Sequence, residues 1–250
     1  MSTPDLTIAV LHYNRWDLTK DCIASIDSQD IPCTYEKLLV DNGSKIPVTI
    51  HQLPSEWKLF RAESNNGHIT GQNLCFEQAQ GEWVLFVAND VRFLPSSIHN
   101  LWLKKRDISH PTLWNVHREL DNRGLLWVWP GYGVSTECDR PGNLLYSFTG
   151  SCYLMHKNIW NIVGKLDEFL RTSHEDIDFS IRAERMGLVI TGIRDSHAIH
   201  LGNATLKHQP SHNRSAFHKD RVYVIKKHYR GVGRFLRLTV VTLLDAIPRF

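Results

Sequence analysis

From Leu6 to Leu11 the chain reads LTIAVL, a nearly unbroken apolar run. Such a run fits a strand buried on both faces. After Asn14 the period changes, and Leu18, Cys22, Ile23 and Ile26 recur at helical spacing up to Asp27. The alternation then repeats. Lys37–Val40 predicts a strand ending at the turn signal Asp41-Asn42-Gly43-Ser44, and Trp57–Arg61 predicts a third. Asn65-Asn66-Gly67 turns the chain into a helix over Ile69–Ala79, and Trp83–Ala88 (WVLFVA) is again a doubly buried strand. Strands alternating with helices imply βαβ units, hence an α/β fold with a mostly parallel sheet flanked by helices.

The middle is less regular. Ile98–Lys104 reads as a helix, Thr112–Val116 and Gly124–Trp129 as strands, and Pro130–Asn143, with three Gly and two Pro, as a loop. Ser151–Met155 predicts a strand and Asn158–Val163 a short helix ending at Gly164. Thr172–Gly187 (TSHEDIDFSIRAERMG) predicts a helix closed by its glycine, and Leu188–Ile193 and His197–His200 are short strands. From Ser215 to Ile247 the pattern is helical, with a break near Gly231–Gly233. We expect one domain over residues 1–212 and a helical tail over 213–250, packed on that domain, on a membrane or on a partner.

A chain of 250 residues supports one substantial core. Its formal charge of +3 gives no reason to expect a nucleic-acid partner. Five cysteines without CxxC spacing read as reduced thiols of a cytoplasmic protein. MSTPDLTIAV has neither the basic start nor the apolar stretch of a signal peptide. No apolar run reaches the ~18 residues of a spanning helix.

In open α/β sheets, ligands bind outside the carboxyl ends of the strands. His12, Tyr13 and Asn14 follow the first predicted strand, Asp41 the second, and Asn89 and Asp90 the fourth. Each alone is an ordinary turn residue; together they gather on one edge. The ordered pieces HYNRWDLTKDCIASI, LLVDNGS, NNGHITGQN, GEWVLFVANDV and TSHEDIDFSIRAERMG resemble the family 2 glycosyltransferases of the GT-A fold. The resemblance runs from about Leu6 to Asn203, and the tail is similar to that of bacterial rhamnosyltransferases and related cell-surface transferases. It implies transfer of a sugar, rhamnose as first choice, from a UDP- or dTDP-sugar to a hydroxyl of a glycan or lipid-linked saccharide.

The resemblance also implies roles. Asp41 would accept from a base N–H, with His12, Tyr13, Asn14, Asn66, Gly67, Asn73, Asn89 and Asp90 around the donor. The family holds Mg2+ or Mn2+ on an acidic DxD-type triplet, but here that triplet is Ala88-Asn89-Asp90. Asp90 and His200 remain as metal ligands. Without a metal, Asn203, Lys207 and His208 would meet the diphosphate charge. Asp176 would be the base that deprotonates the acceptor, and attack without a covalent intermediate predicts an inverting enzyme. Glu175 stands between acceptor contact and helix cap. Asp178 lies three residues from Glu175 on one helix face and pairs at i,i+4 with Arg182, a structural arrangement. Trp114, Trp127, Trp129, Tyr132 and Gly150 are acceptor-side candidates. The tail, basic then apolar, fits a membrane interface at its inner face, a homodimer contact or a core-covering helix equally. One rival is a catalytically silent sugar-nucleotide-binding protein. Another, a nucleotidyltransferase, would need a glycine-rich basic loop after the first strand, which LHYNRWD lacks.

Overall fold

The computed structural model describes residues 3–135, 145–202 and 210–246. The first strand, β1 (Leu6–His12), is buried along its whole length, as its apolar run requires. Helix α1 (Trp16–Asp27) buries Leu18, Cys22, Ile23 and Ile26, the periodic positions. Next come β2 (Tyr35–Asp41), β3 (Trp57–Arg61), α2 (His68–Gln78), β4 (Trp83–Ala88), β5 (Val91–Phe93) and α3 (Ser97–Lys104). The second half contains β6 (Ile108–Trp114), β7 (Leu120–Asn122), β8 (Leu125–Val128), β9 (Tyr132–Ser135), β10 (Leu145–Ser147), β11 (Cys152–His156) and α4 (Lys157–Val163). It closes with α5 (Glu175–Arg185), β12 (Ile190–His200), α6 (Pro210–His228) and α7 (Gly231–Ala246).

The main sheet runs β3-β2-β1-β4-β11-β6-β12-β5, with β7 on β6; β10-β8-β9 forms a separate three-stranded sheet. The α/β fold expected from the pattern is present, and pairing is parallel from β3 to β4 and between β6 and β12. β11 runs antiparallel between β4 and β6, so the second half of the sheet is mixed. Side chains alternate across the sheet. Ala9, Leu11, Val84 and Phe86 join the core under α2 and α5, while Ile8, Val10, Leu85 and Val87 join the core under α1 and α3. Each such buried Val, Leu, Ile or Phe side chain contributes about 1.5–3 kcal/mol.

Where pattern and structure part, packing explains it. β6 starts at Ile108 rather than Thr112, because buried Ser109 and His110 are satisfied internally: Ser109 Oγ accepts from Arg106 N at 2.8 Å and His110 Nε2 meets Tyr146 Oη at 2.9 Å. β9 lies inside the expected Pro130–Asn143 loop, paired with β8. The two strands expected after α5 are one, β12, with a bulge between Ile193 and His197. The tail breaks before Gly231, which adopts φ 58°. Residue 212 falls within α6, and Val224 and Ile225 of that helix belong to the same core as the sheet.

Candidate active site

At the carboxyl ends of β1, β2 and β4 lies a cavity of about 370 Å3. Its walls include Tyr13 after β1, Asn42 after β2, Asn89 and Asp90 after β4, Arg171 and Thr172 ahead of α5, and His200 at the end of β12. A neighbouring hollow of about 630 Å3 adds Asn66 and shares Gly67 and Arg171. Of the nominated donor contacts, Tyr13, Asn66, Gly67, Asn89 and Asp90 therefore face these spaces, as does His200, nominated as a metal ligand.

Asp41 does not. It is fully buried, bound by Arg61, by Ser44 N at 2.9 Å and by Val48 N at 3.3 Å. Burial alone pushes its pKa up, but the hydrogen bonds from Ser44 and Val48 outweigh it and leave it lowered. Its oxygens organise the turn, which only glycine can complete: Gly43 sits at φ 69°, and a Cβ there would lie 2.4 Å from the Ser64 carbonyl carbon. The residue that faces the cavity is its neighbour. Asn42 Nδ2 donates to Asn65 Oδ1 at 3.2 Å and to Gly67 O at 3.0 Å, while its Oδ1 is buried without a hydrogen-bond partner. A buried orphan acceptor costs about 1–3 kcal/mol, which a ligand N–H would recover.

Three further nominees serve the framework. The Thr19 hydroxyl donates to Arg15 O, so His12 Nδ1–H donates to Thr19 Oγ1, at 2.6 Å. Burial holds the His12 pKa down, against the charge of Asp41. Asn14, at φ 59°, donates its N–H to Ser44 Oγ and accepts from Lys45 N, tying two turns together. Asn73 is buried; its Nδ2 donates to Leu166 O and Glu168 Oε1, and its Oδ1 accepts from Leu166 N. Asn89, on the cavity wall, donates to Thr19 Oγ1 at 2.9 Å.

His200 stands between two carboxylates, with Nε2 3.6 Å from Asp90 Oδ2 and Nδ1 3.1 Å from Asp121 Oδ2. Burial alone lowers its pKa, but the Asp121 hydrogen bond and the charges of Asp90 and Asp121 outweigh this and raise it. Asp121, on β7, orients the ring so that Nε2 points at Asp90, a carboxylate–histidine arrangement common behind metal ligands. Among the described residues no three His, Cys, Asp or Glu side chains group as a complete metal site. The donor set fits a hard cation only if substrate oxygens and water supply the remaining ligands. Asn203, Lys207 and His208 lie outside the described residues.

Next to Ser151 of the cavity wall, Gly150 meets the start of α5, which divides its carboxylates; neither Glu175 nor Asp176 lines the cavity. Glu175 Oε1 accepts from Gln72 Nε2 at 3.0 Å, and Tyr153 Oη donates to Gln72 Oε1 at 3.0 Å. Asp176 accepts from Gly150 N at 3.1 Å and from Ile177 N at 2.8 Å. A Cβ on Gly150 would lie 2.5 Å from Glu175 Oε1, so a larger residue there would displace the Glu175 carboxylate. Burial, then the Glu175 charge, push the Asp176 pKa well up. Asp178, two residues on, is fully buried against Arg182 (2.9 Å), Lys227 (2.7 Å) and His228 (2.7 Å). Burial pushes it up, yet His228, Arg182 and Lys227 together hold it at about 2.

On the acceptor side, Trp127 is core, its Nε1 donating to Tyr229 Oη at 2.9 Å. Tyr132 donates to Asp245 at 3.0 Å beneath Arg221, and Trp114 donates to His197. Trp129 is 58% exposed. None of the four borders the cavity. Residues missed by sequence reasoning are Asn42, Arg171, Thr172 and Asp121. Asn42 had a signal, being the next letter of the same turn. The others had none, since Arg171 and Thr172 are brought in by Asp220 of α6, which accepts from the N–H groups of 171, 172 and 173.

An α/β sheet with a polar cavity at its strand ends and, beside it, a buried carboxylate pair without lysine or arginine partners among the described residues fits a group-transfer enzyme of the GT-A type. Residues 7–156 match the family model "Glycosyl transferase family 2", and the chain belongs to that family. It is similar to the O-antigen biosynthesis protein RfbC of Myxococcus xanthus, 24% identical over 231 residues, covering 81% of this chain. The chain spans only 18% of that relative's length. Among solved structures, S. aureus TarS 1–349 aligns with a TM-score of 0.62 at 17% identity, over 95% of this chain and 70% of TarS 1–349. The mannosyltransferase PcManGT from Pyrobaculum calidifontis, solved with GDP-Man and Mn2+, aligns with a TM-score of 0.60 at 14% identity, over 98% of this chain and 70% of its own. These structural likenesses are of fold.

Proposed function

We propose that this glycosyltransferase is an inverting hexosyltransferase that uses a UDP- or dTDP-sugar, with rhamnose the first candidate, and glycosylates a saccharide or lipid-linked saccharide in polysaccharide assembly. The observation that carries this reading is a polar cavity at the strand ends with, beside its Ser151 edge, a buried carboxylate, Asp176, whose pKa is raised. The family membership and the likeness to an O-antigen biosynthesis protein support it.

In this reading the base stacks near Tyr13 and its N–H meets the orphan Asn42 Oδ1, the role first expected of Asp41. The leaving diphosphate lies toward Asp90, Arg171 and His200, where charge develops in the transition state. A bound Mg2+ or Mn2+ would neutralise part of that charge, held by Asp90 and His200 with Asp121 orienting the imidazole. Arg171 supplies a cation from the opposite wall. The acceptor enters past Gly150, Glu175 holds its hydroxyl through a position fixed by Gln72, and Asp176 takes the proton. A single displacement then inverts the anomeric carbon. Trp129 and Tyr132 would flank the acceptor farther out.

The test is a thermal-shift panel of nucleotide sugars with and without Mn2+, followed by product NMR. A selective donor at 100-fold over its Kd stabilises by about 2.7 kcal/mol. The anomeric configuration of the product must be opposite to the donor's, and retention would refute the mechanism. Ala88 in place of an acidic residue favours one other reading, a sugar-nucleotide-binding protein without turnover. Selective binding with no transfer or donor hydrolysis would establish that instead.

A further inference from the structure

Helix α7 is apolar on two opposite faces. One packs inward: Val241 is fully buried, Leu238 joins the core, and Asp245 is bound by His218 at 2.6 Å, Arg221 at 2.8 Å and Tyr132 at 3.0 Å. The other carries Val232, Leu236 and Leu243 in one stripe at helical spacing, with Phe235 beside it. These four are 73%, 48%, 62% and 68% exposed. A helix with an apolar stripe on each side has a second partner to satisfy.

Charge says what kind. Between Asp220 and Asp245 the sequence has no carboxylate, while it has Arg221, Lys226, Lys227, Arg230, Arg234 and Arg237. Arg221 is bound to Asp245 and Lys227 to Asp167 and Asp178; Lys226, Arg230 and Arg234 are exposed. These cations flank the apolar stripe at the α6–α7 turn and do not lie on it; a second copy would bring the same cation-rich turn against itself, with no carboxylate between residues 221 and 244 to answer it. An anionic bilayer answers both features, taking the apolar side chains below the headgroups and the cations among the phosphates. The 16 residues of α7 extend about 24 Å at 1.5 Å per residue, too short to span but long enough to lie flat. Arg237 Nη1 donates to Pro130 O at 3.0 Å, so the loop bearing exposed Trp129 sits beside the same helix, and an interfacial Trp is at home at headgroup level.

We propose that α7 is an interfacial helix that seats the protein on an anionic membrane, with Trp129 at its margin and the acceptor side of the site turned toward bilayer-borne saccharides. The orientation of the acceptor rests on the sugar-transfer reading; the membrane contact does not.

The test is co-sedimentation of the full chain with vesicles of phosphatidylcholine, alone or mixed with phosphatidylglycerol. The protein should pellet with the mixed vesicles only. Arg230→Gln with Arg234→Gln should weaken partitioning on the order of tenfold. Phe235→Ser, Leu236→Ser and Leu243→Ser together should abolish it, with an unchanged nucleotide-sugar thermal shift. Failure of the parent protein to pellet, or unchanged pelleting of the triple variant, would overturn the proposal. So would a dimer in sedimentation velocity that the triple variant dissolves while vesicles bind neither form. Vesicle binding needs no donor, so its failure leaves the transfer reading standing, and loss of transfer in Asp176→Asn leaves vesicle binding untouched.

Discussion

On α5, Asp176 and Asp178 are separated by one residue yet face opposite regions of the molecule. Asp178 points to the side where α6 arrives, and Arg182, Lys227 and His228 surround it. Asp176 points to the Gly150 strand end, where it accepts two backbone N–H groups and sits next to Glu175. Among the described residues no lysine or arginine pairs with Asp176 or Glu175. Both aspartates are buried, so the difference in pKa direction comes from neighbours and not from depth. A carboxylate meant to hold helices together is best kept ionised and surrounded by cations. One meant to take a proton must be able to keep it, and burial beside a like charge provides that.

The largest expected effect breaks the comparison on the catalytic side. Asp176→Asn keeps the shape and removes the base, so transfer should fall by about 10²–10⁴ in kcat. Stability should move the other way. The folded state raises the Asp176 pKa above its unfolded value, so ionisation costs stability as pH rises through the folded pKa. At neutral pH the Asn variant is free of that cost and should melt at or above the parent's temperature. A variant that loses transfer only because it melts early would show the carboxylate to be structural.

Asp178→Ala should do the reverse. It leaves Arg182, Lys227 and His228 without their shared anion, a loss of about 3–5 kcal/mol in unfolding free energy. Transfer per folded molecule should be retained. Arg182 also donates to Val163 O at 2.7 Å and to Lys165 O at 3.0 Å, so the hub ties α5 to the segment after α4 as well as to α6. Denaturant unfolding followed beside single-turnover transfer separates the two quantities.

How much of this was visible beforehand differs between the two carboxylates. The Asp178–Arg182 pair lies on one helix at i,i+4, a spacing any helical reading reveals. Lys227 and His228 come from 50 residues away, and no local pattern could bring them. Asp176 was nominated through the family resemblance; its burial beside Glu175, and its contact with Gly150, depend on β11 inserting antiparallel between β4 and β6. The N-terminal half was legible because βαβ units bury continuous apolar runs. In the second half, β6 and β12 contain buried His110 and Ser196, whose partners Tyr146 and Ser97 lie far along the chain. Asp41 draws attention as a carboxylate at a strand end, but burial against Arg61 and the unsatisfied acceptor of the adjacent amide are not written in the pattern.

pH separates the pair more finely. Asp178 has a folded pKa near 2, below its unfolded value of 3.8, so its stabilisation is present above about pH 4 and is lost as pH falls toward 2. That amounts to about 2 kcal/mol, absent from the Asp178→Ala protein. Asp176 appears instead in the pH profile of transfer. The acid limb of kcat/KM should lie above the ordinary carboxylate range, and Glu175→Gln, by removing the neighbouring charge, should shift it to lower pH. An acid limb that stays in place in Glu175→Gln would remove Glu175 as the cause of the shift.

The smallest effect concerns the far wall of the cavity. Arg171 is exposed, and what positions it is Asp220, which is 4% exposed and accepts from Thr172 N at 2.8 Å and Ser173 N at 3.1 Å. Solvent screens an exposed guanidinium, so its contact with a diphosphate should contribute only about 1 kcal/mol, roughly fivefold in Kd. Arg171→Met should therefore weaken a nucleoside diphosphate about fivefold while leaving the nucleoside itself unaffected, in calorimetry with chelator present. Asp220→Asn should reproduce part of that loss without touching the cavity, because it loosens the turn that presents the arginine. Equal losses for nucleoside and diphosphate would place Arg171 with the base or with the fold. The charge of the leaving group would then fall to His200 and a cation held by Asp90 alone.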